Sequence, residues 1–227
     1  MTSEVKIMDY YNHLYNHNDI NMILDNINET FNRFHKNTFP WCHGRYHTMF
    51  VVDTVEYILK SLSYDARTVE LGKIAALLHD IGMIAGRWEH GRKSAALSSV
   101  IFDGSDHLIP DEKQMLIQAI EDHSKGANIS SAVGAALIIA DKIDFSKRRI
   151  LAVDITSDSL INCQKIENVK ILISGDEISI STVTTDDFDK NLFVNEYKPR
   201  YKILEKAVEF LGCSCKFQLN EVEERLA

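Results

Sequence analysis

The 227-residue chain contains few of the residues that mark secreted, fibrous or membrane proteins. Its four cysteines, Cys42, Cys163, Cys213 and Cys215, give no secreted disulfide framework and no C-x2-C zinc spacing. The three prolines and ten glycines are scattered along the chain and do not cluster into a linker. The longest apolar stretch, around residues 133–140, is far shorter than the ~20 residues of a membrane span, and no signal peptide is recognisable at the start. We therefore expect a cytoplasmic protein that has no membrane partner.

The chain also has no excess of basic residues. It contains 25 Lys and Arg and 33 Asp and Glu, which gives a net charge of −8. This balance excludes broad nucleic-acid binding, which needs a basic surface. It leaves room for a small anionic ligand, since a bound metal or a local basic pocket can invert the field. Hydrophobic residues make up 45% of the chain and charged residues 26%, as in an ordinary globular protein with one large domain or one domain and an appendage.

The spacing of apolar residues predicts a mostly α fold, with a helical body over 1–155 and a small α+β appendage over 156–227 packed on it. Apolar residues recur with the 3.6-residue period of a helix in "DINMILDNINETFNRFHKN", "HTMFVVDTVEYILKSL" and "DARTVELGKIAALLHDIG". The last of these has a cap at Asp65 and is expected to end at Gly82. "SSAVGAALIIADKIDF" is apolar on nearly every side, as a central buried helix should be. In the appendage, "NVKILISGDEISISTVTTD" predicts a β-hairpin and "PRYKILEKAVEFLG" a helix.

The segment "AALLHDIG" places His79 and Asp80 side by side at the end of an apolar run. Histidines also stand at the starts or ends of other predicted helices, and one aspartate interrupts an apolar helix, where a charge is costly unless it is paired or bound to a cation. These further candidates are His47, His90, His123 and Asp141. Taken singly, a histidine at a helix end is more often a cap, and Asp141 could pair with Lys142 or Arg148. His43, four residues before His47, is a rival ligand.

Together these residues resemble the HD superfamily of metal-dependent phosphohydrolases over roughly residues 40–150. The most specific elements are "LLHDIG", preceded by "RYHT" and followed by "ADKIDF". The additional histidines in "EHGRKSA" and "EDHS" are similar to those of the dinuclear branch, which includes bacterial diadenosine tetraphosphate hydrolases and, more distantly, HD-GYP phosphodiesterases. The chain departs from HD-GYP enzymes at Met83, where they carry lysine, and it lacks their Gly-Tyr-Pro signature.

The resemblance implies that His47, His79, Asp80 and Asp141 hold one metal, and that His90 and His123 join Asp80 on a second. The motif "RYHT" matches the family ligand position better than His43, which we place beside the ligands or in the pocket wall. Two divalent transition metal ions are expected. Because no cysteine is among the ligands, iron or manganese comes first, with nickel, cobalt, zinc and magnesium as alternatives.

The implied reaction is hydrolysis of a phosphoester or phosphoanhydride, on a nucleotide-like small molecule, by a hydroxide that the metals activate. His79 and Asp80 would be central to it, and we expect cations near the ligands to stabilise charge on the phosphoryl oxygens. The first choices are Arg92, Lys93 and Lys142; the others are Arg45, Arg87, Lys125 and Arg148. Trp88 and Tyr46 could stack on a base.

Two other functions stay open at this point. Similar histidine–aspartate cages in related folds hold a di-iron centre that activates O₂, which would make the protein an oxygenase. The metal could instead belong to a sensor or regulatory module. The appendage has two readings as well, since it could cover the pocket mouth and select the substrate or form a homodimer edge through its hairpin.

Overall fold

The computed structural model describes residues 10–35, 41–126, 128–150, 157–220 and 222–224. The side chains of 30–35 and 222–224 are outside this description. Among the described helices, none combines the length and the apolar character that crossing a membrane requires.

In the first part of the chain, the described residues form mainly helices joined by turns. Two of the helix starts are capped by side chains that the sequence offers: Asp65 Oδ1 accepts from Thr68 N at 2.9 Å, and Ser131 Oγ accepts from Gly134 N at 3.1 Å. The helices are α1 (residues 10–15), α2 (Asn18–His35), α3 (Arg45–Ser61), α4 (Ala66–Leu78), α5 (His90–Phe102), α6 (Pro110–Asp122) and α7 (Ala132–Ile143).

Helix α7 is the centre of the body, as its sequence predicts. Residues 133–141 are all buried, and the helix contacts α3, α4, α6 and the later helix α9 (Lys190–Phe210). From α3, side chains such as Val52, Val55 and Leu59 pack into this core with almost no exposed surface. Burial on this scale contributes most of the stabilisation of the fold.

The prediction that the fourth helix continues to Gly82 is wrong. Helix α4 ends at Leu78 with His79 as its C-cap, and a 3-10 turn follows over Ile81–Ala85. Asp80, with φ −112° and ψ 4°, has left the helical conformation. The turn lies against α5, where Gly82 N donates to Ser94 Oγ at 2.9 Å. This early ending turns His79 and Asp80 toward the interior rather than along the helix.

The C-terminal part contains helices α8 (Asp158–Cys163) and α9 and a four-stranded sheet in the order β1-β2-β3-β4. The predicted hairpin is confirmed: β1 (Ile166–Ser174) pairs antiparallel with β2 (Glu177–Thr184). Its turn contains Gly175, whose φ of +61° suits glycine. Strand β3 (Ser214–Leu219) runs parallel to β2, and β4 (Val222–Glu224) pairs antiparallel with β3.

Helix α9 begins nine residues before the predicted start at Pro199. Asp189 caps it by accepting from Leu192 N at 2.9 Å, and Pro199 lies inside the helix rather than at its first turn. The sequence also gave no prediction for the short helix α8. The overall prediction of a mostly helical body with a small α+β C-terminal part is confirmed.

The C-terminal part packs directly on α7. Tyr197 Oη donates to the Lys142 carbonyl at 2.7 Å, and the Phe145 ring lies 4.7 Å from the Tyr197 ring and 5.4 Å from the Phe193 ring. These contacts hold helix α9 against Lys142, the residue that follows Asp141 in the chain. The domain boundary between 155 and 156 stays a prediction, since 151–156 lie outside the described residues.

Candidate metal centre

Six polar side chains from five helical segments meet in the interior of the body, and all six are the ligands expected from the sequence. His47 comes from the first turn of α3, His90 is the first residue of α5, and His123 caps the end of α6. His79 and Asp80 follow α4, and Asp141 lies in α7. Except for the partly buried His90, each is buried.

The Asp80 carboxylate lies at the middle of this cluster, and two of the four predicted histidine ligands lie near each of its oxygens. Oδ2 lies 3.5 Å from His47 Nε2 and 3.3 Å from His79 Nε2. Oδ1 lies 3.5 Å from both His90 Nε2 and His123 Nε2. Asp141 Oδ1 joins the first pair at 3.2 Å from His47 Nε2. The cluster therefore has two sides that share Asp80.

The second nitrogen of each ring is already engaged, and this fixes which nitrogen faces Asp80. Three rings place Nδ1 against the backbone carbonyl three residues earlier: His79 at 2.7 Å from Ala76 O, His90 at 3.1 Å from Arg87 O, and His123 at 2.6 Å from Ile120 O. His47 Nδ1 lies 2.6 Å from Asp144 Oδ2. Because carbonyls and carboxylates accept, the hydrogen belongs on Nδ1 and a neutral ring presents a bare Nε2.

These Nε2 atoms face one another at short range. His79 Nε2 lies 3.2 Å from His47 Nε2, and His90 Nε2 lies 3.2 Å from His123 Nε2. Two lone pairs at this separation repel unless a proton or a cation lies between them. Arg149 Nη2 donates to His47 Nε2 at 3.1 Å. Among the described residues, Asp80 Oδ1 is buried and has no hydrogen-bond donor.

The ionisation of the cluster favours anionic carboxylates. Burial opposes the charge on Asp80, but the neighbouring His79 and His43 outweigh it and hold the pKa of Asp80 well below its usual value. Burial likewise opposes charge on His79, yet the Asp80 and Asp141 carboxylates raise the pKa of that imidazole. For His123 burial prevails and lowers the pKa to about 4, so that this ring is neutral near pH 7.

The donor set fits a divalent metal ion. His47, His79 and Asp141 form one compact buried group that could hold an ion, and His79, Asp80 and His123 form another, with all donor atoms of a group within 4.8 Å of one another. Each imidazole donates its far N–H to an acceptor, which is the arrangement of metal-bound histidines in proteins. The orphaned Asp80 Oδ1 is explained if a cation binds it.

His43 lies beside the predicted ligands, against Asp80. Its Nδ1 lies 2.8 Å from Asp80 Oδ2, and burial lowers its pKa to about 4, so the neutral ring donates this hydrogen bond. His43 also forms a compact group with His47 and Asp80 that could hold an ion. His43 thus lies beside His47, and its hydrogen bond orients the Asp80 carboxylate.

Asp141 lies against a histidine of the cluster and also pairs with neighbouring cations. Besides His47, it meets Lys142, whose Nζ lies 2.6 Å from Oδ2, and Arg149, whose Nη2 lies 3.5 Å from Oδ1. Arg148 is exposed and lies over the Tyr46 ring instead. Burial opposes ionisation of Asp141, but Lys142, His47 and Arg149 keep its pKa well below the usual value.

A cavity of about 130 Å³ adjoins the cluster and is lined by several cations. Arg149 is buried and is held by carbonyls, with Nε donating to Cys42 O at 3.1 Å and Nη1 to Asp144 O at 3.0 Å. Arg87 and Arg200 both line this cavity, and burial together with the charge of Arg200 lowers the pKa of Arg87. The lining comprises Trp41, His43, Arg87, His90, Ser124, Asp141, Lys142, Asp144, Phe145, Arg149 and Arg200.

Of the three cations predicted first, Lys142 lines this cavity and the other two do not. The Arg92 side chain is 72% exposed and lies 3.9 Å from Glu89. Lys93 Nζ donates to the carbonyls of Ala85 and Gly86, so it ties α5 to the 3-10 turn. Trp88 is 87% exposed, outside the cavity. A phosphate-stabilising role for Arg92 or Lys93 has no support from these positions.

Three residues of the site escaped sequence reasoning. Asp144 stands one helical turn after Asp141 in "ADKIDF", a spacing that could have marked it as a partner for a ligand. Arg149 is one of three consecutive cations, Lys147 to Arg149, and nothing in the sequence distinguishes it from its exposed neighbours. Arg200 comes from α9, far along the chain, and no local signal could have linked it to the cluster.

No protein-family model and no curated protein matches the chain. Among solved structures, the chain is similar to a predicted HD superfamily hydrolase from an uncultured Thermotogales bacterium, with 25% sequence identity and a TM-score of 0.42. The match covers 54% of this chain and 66% of that chain, just under two thirds of its length.

Proposed function

We propose that the protein is a metal-dependent hydrolase that cleaves a phosphoester or phosphoanhydride of a nucleotide-like small molecule. One observation carries the proposal: four imidazoles turn Nε2 toward the shared Asp80 carboxylate, next to a cavity lined by cations. Nitrogen and oxygen donors of this kind suit iron or manganese first, with nickel, cobalt, zinc or magnesium as alternatives. Among the described residues, no cysteine thiol belongs to the cluster.

The two sides of the cluster would hold two ions. His47, His79, Asp80 and Asp141 serve the first, and Asp80, His90 and His123 serve the second. When bound, such a pair supplies a water of lowered pKa as nucleophile and Lewis-acid stabilisation of the phosphoryl oxygens. The shared carboxylate sets the separation of the two sides, and the Nδ1 hydrogen bonds keep each ring in its tautomer and orientation.

The cavity beside the cluster supplies the complementary charge for an anionic substrate. Lys142, Arg149 and the Arg87–Arg200 pair all line it. A guanidinium presents a planar fork of donors that fits phosphate oxygens. Burial and the charge of Arg200 lower the pKa of Arg87, and an anion bound beside both guanidiniums would offset their repulsion. The net charge of −8 over the whole chain is therefore compatible with a phosphorylated substrate.

A panel of phosphomonoesters, phosphodiesters and dinucleoside polyphosphates tests the proposal. We expect hydrolysis of at least one class after reconstitution with Mn²⁺ or Fe²⁺, abolition by chelator, and equal rates with and without oxygen. Metal-loaded protein that hydrolyses none of them would contradict the proposal, and a reaction that consumes O₂ would replace it with the oxygenase alternative.

Matched arginine variants locate the phosphate contact. Arg200→Ala should raise KM for the hydrolysed substrate by about 10- to 100-fold, because a charged hydrogen bond of ~1.5–3 kcal/mol is lost. Arg92→Ala removes an exposed guanidinium outside the cavity and should leave KM unchanged. The reverse pattern, with KM sensitive to Arg92 and indifferent to Arg200, would show that the substrate lies elsewhere.

A further inference from the structure

A second cavity of about 220 Å³ lies between the C-terminal helices and the body. Helices α8 and α9 supply most of its lining, including Ser159, Leu160, Phe193 and Glu196. The body contributes Trp41 and Phe145. The cavity is thus formed only where the C-terminal part meets the segment next to the metal cluster.

The two cavities share one wall. Trp41, Phe145 and Arg200 line both of them. Two guanidiniums lie near the Trp41 ring, with Arg149 Cζ 5.8 Å and Arg200 Cζ 5.6 Å from its centroid. The backbone at this wall is tied to the metal centre, because Cys42 N donates to Arg149 O at 2.6 Å and Trp41 pairs with Ile150.

Helix α9 fixes the relation between the cavities. Tyr197 Oη donates to the Lys142 carbonyl, directly after Asp141 in the chain. Arg200 stands three residues after Tyr197, so both side chains share one face of the helix. The helix that forms the second cavity therefore also delivers a cation to the first.

The lining of the second cavity fits a planar group with polar edges. Trp41, Phe145 and Phe193 give the cavity an aromatic, apolar wall, which suits contact with another aromatic ring. Ser159 and Glu196 supply a hydroxyl and a carboxylate for hydrogen bonds at the rim. Each cavity alone is smaller than the ~300–1,000 Å³ of a typical ligand site, and the two together reach the lower end of that range.

We propose that the second cavity receives the leaving-group half of the substrate, a planar heterocycle such as a nucleobase, while the phosphoryl group lies in the first. The inference rests on the proposed hydrolase function and locates the part of the site that would bind the base. It assigns the C-terminal part a role in selecting the substrate.

Trp41 reports occupancy directly, because the chain has two tryptophans and the other, Trp88, is exposed. In a Trp88→Phe background, Trp41 is the sole indole. Titration of chelator-treated protein with the four common ribonucleosides should change its fluorescence saturably for at least one of them. Ribose, which lacks the aromatic heterocycle, should not change the fluorescence. Since these probes carry no phosphate and the protein no metal, the result is independent of hydrolysis.

Two variants of α8 make the test specific. Ser159→Phe fills the cavity and should abolish the fluorescence response, whereas Ile161→Phe, at an exposed position outside the lining, should preserve it. With metal restored, Ser159→Phe should raise KM for adenosine 5′-monophosphate about tenfold relative to ribose 5-phosphate, as expected when a stacking contact is lost.

The outcomes separate the two proposals. No response of Trp41 to any nucleoside, or an equal response in Ser159→Phe, overturns the second cavity as a base site even if phosphoesters are hydrolysed. A response that Ser159→Phe removes supports the site, and absence of hydrolysis would then count against the proposed reaction alone.

Discussion

At the scale of single residues, the direction of each imidazole follows from the acceptor at its other nitrogen. His79 and His123 each follow the end of a helix, where carbonyls lack an intrahelical partner. Each ring satisfies the carbonyl three residues back and thereby turns Nε2 toward Asp80. His47 stands at a helix start and has no such carbonyl, so Asp144 takes that place. The set of ligand types was predictable from the sequence; this supporting carboxylate was not.

Replacing Asp144 by asparagine tests the supporting role. Asp144→Asn removes the anionic acceptor at His47 Nδ1 and should weaken metal affinity by ~10–100-fold, the usual cost of losing such a partner. Asp158→Asn, at an exposed carboxylate in α8, is the matched control. Chelator-competition titrations measure both. Equal affinities for the two variants would show that Asp144 does not orient the ligand.

At the scale of elements, the cluster depends on close approach between helix ends. Apolar spacing predicted the helices and the hairpin, because each buries one continuous face. It misplaced the end of α4 and the start of α9, since those boundaries depend on contacts with other elements. The turn at Ile81–Ala85 forms where Gly82 meets α5, and Pro199 is tolerated inside α9. Neither contact can be read from local sequence.

Gly91 tests whether this close approach matters. A Cβ at Gly91 would lie 2.6 Å from the Glu121 carbonyl, so Gly91→Ala must push the start of α5 away from the end of α6. His90 and His123 stand at those two ends. We expect destabilisation of ~1–3 kcal/mol in chemical unfolding and weaker metal binding.

Gly134→Ala is the control for this change. Gly134 lies near the start of α7, and the nearest atom to its added Cβ would be 3.4 Å away. This variant should keep its metal and be unchanged or more stable by up to about 1 kcal/mol, since alanine favours the helix. If both glycine variants behave alike, the tight α5–α6 contact does not position the ligands.

At the scale of the whole molecule, the ligands span residues 47 to 141, and the cavity beside them is completed by Arg200. The sequence indicated a helical body with an appendage, and the motifs indicated which side chains belong together. It left two readings of the appendage open, a cover for the pocket mouth or a dimer edge, because the choice depends on how α9 docks on α7 through Tyr197 and Phe145. The spacing of apolar residues along the chain does not predict such contacts between distant elements.

The most direct test of the central claim is metal content per chain, measured by elemental analysis on protein purified without chelator. If the histidines and carboxylates around Asp80 hold divalent transition metal ions, the wild-type protein carries iron, manganese or a related ion in stoichiometric amount. Asp80→Ala and His79→Ala would then lose most of it while remaining folded by circular dichroism. Full metal stoichiometry in either folded variant would contradict the account.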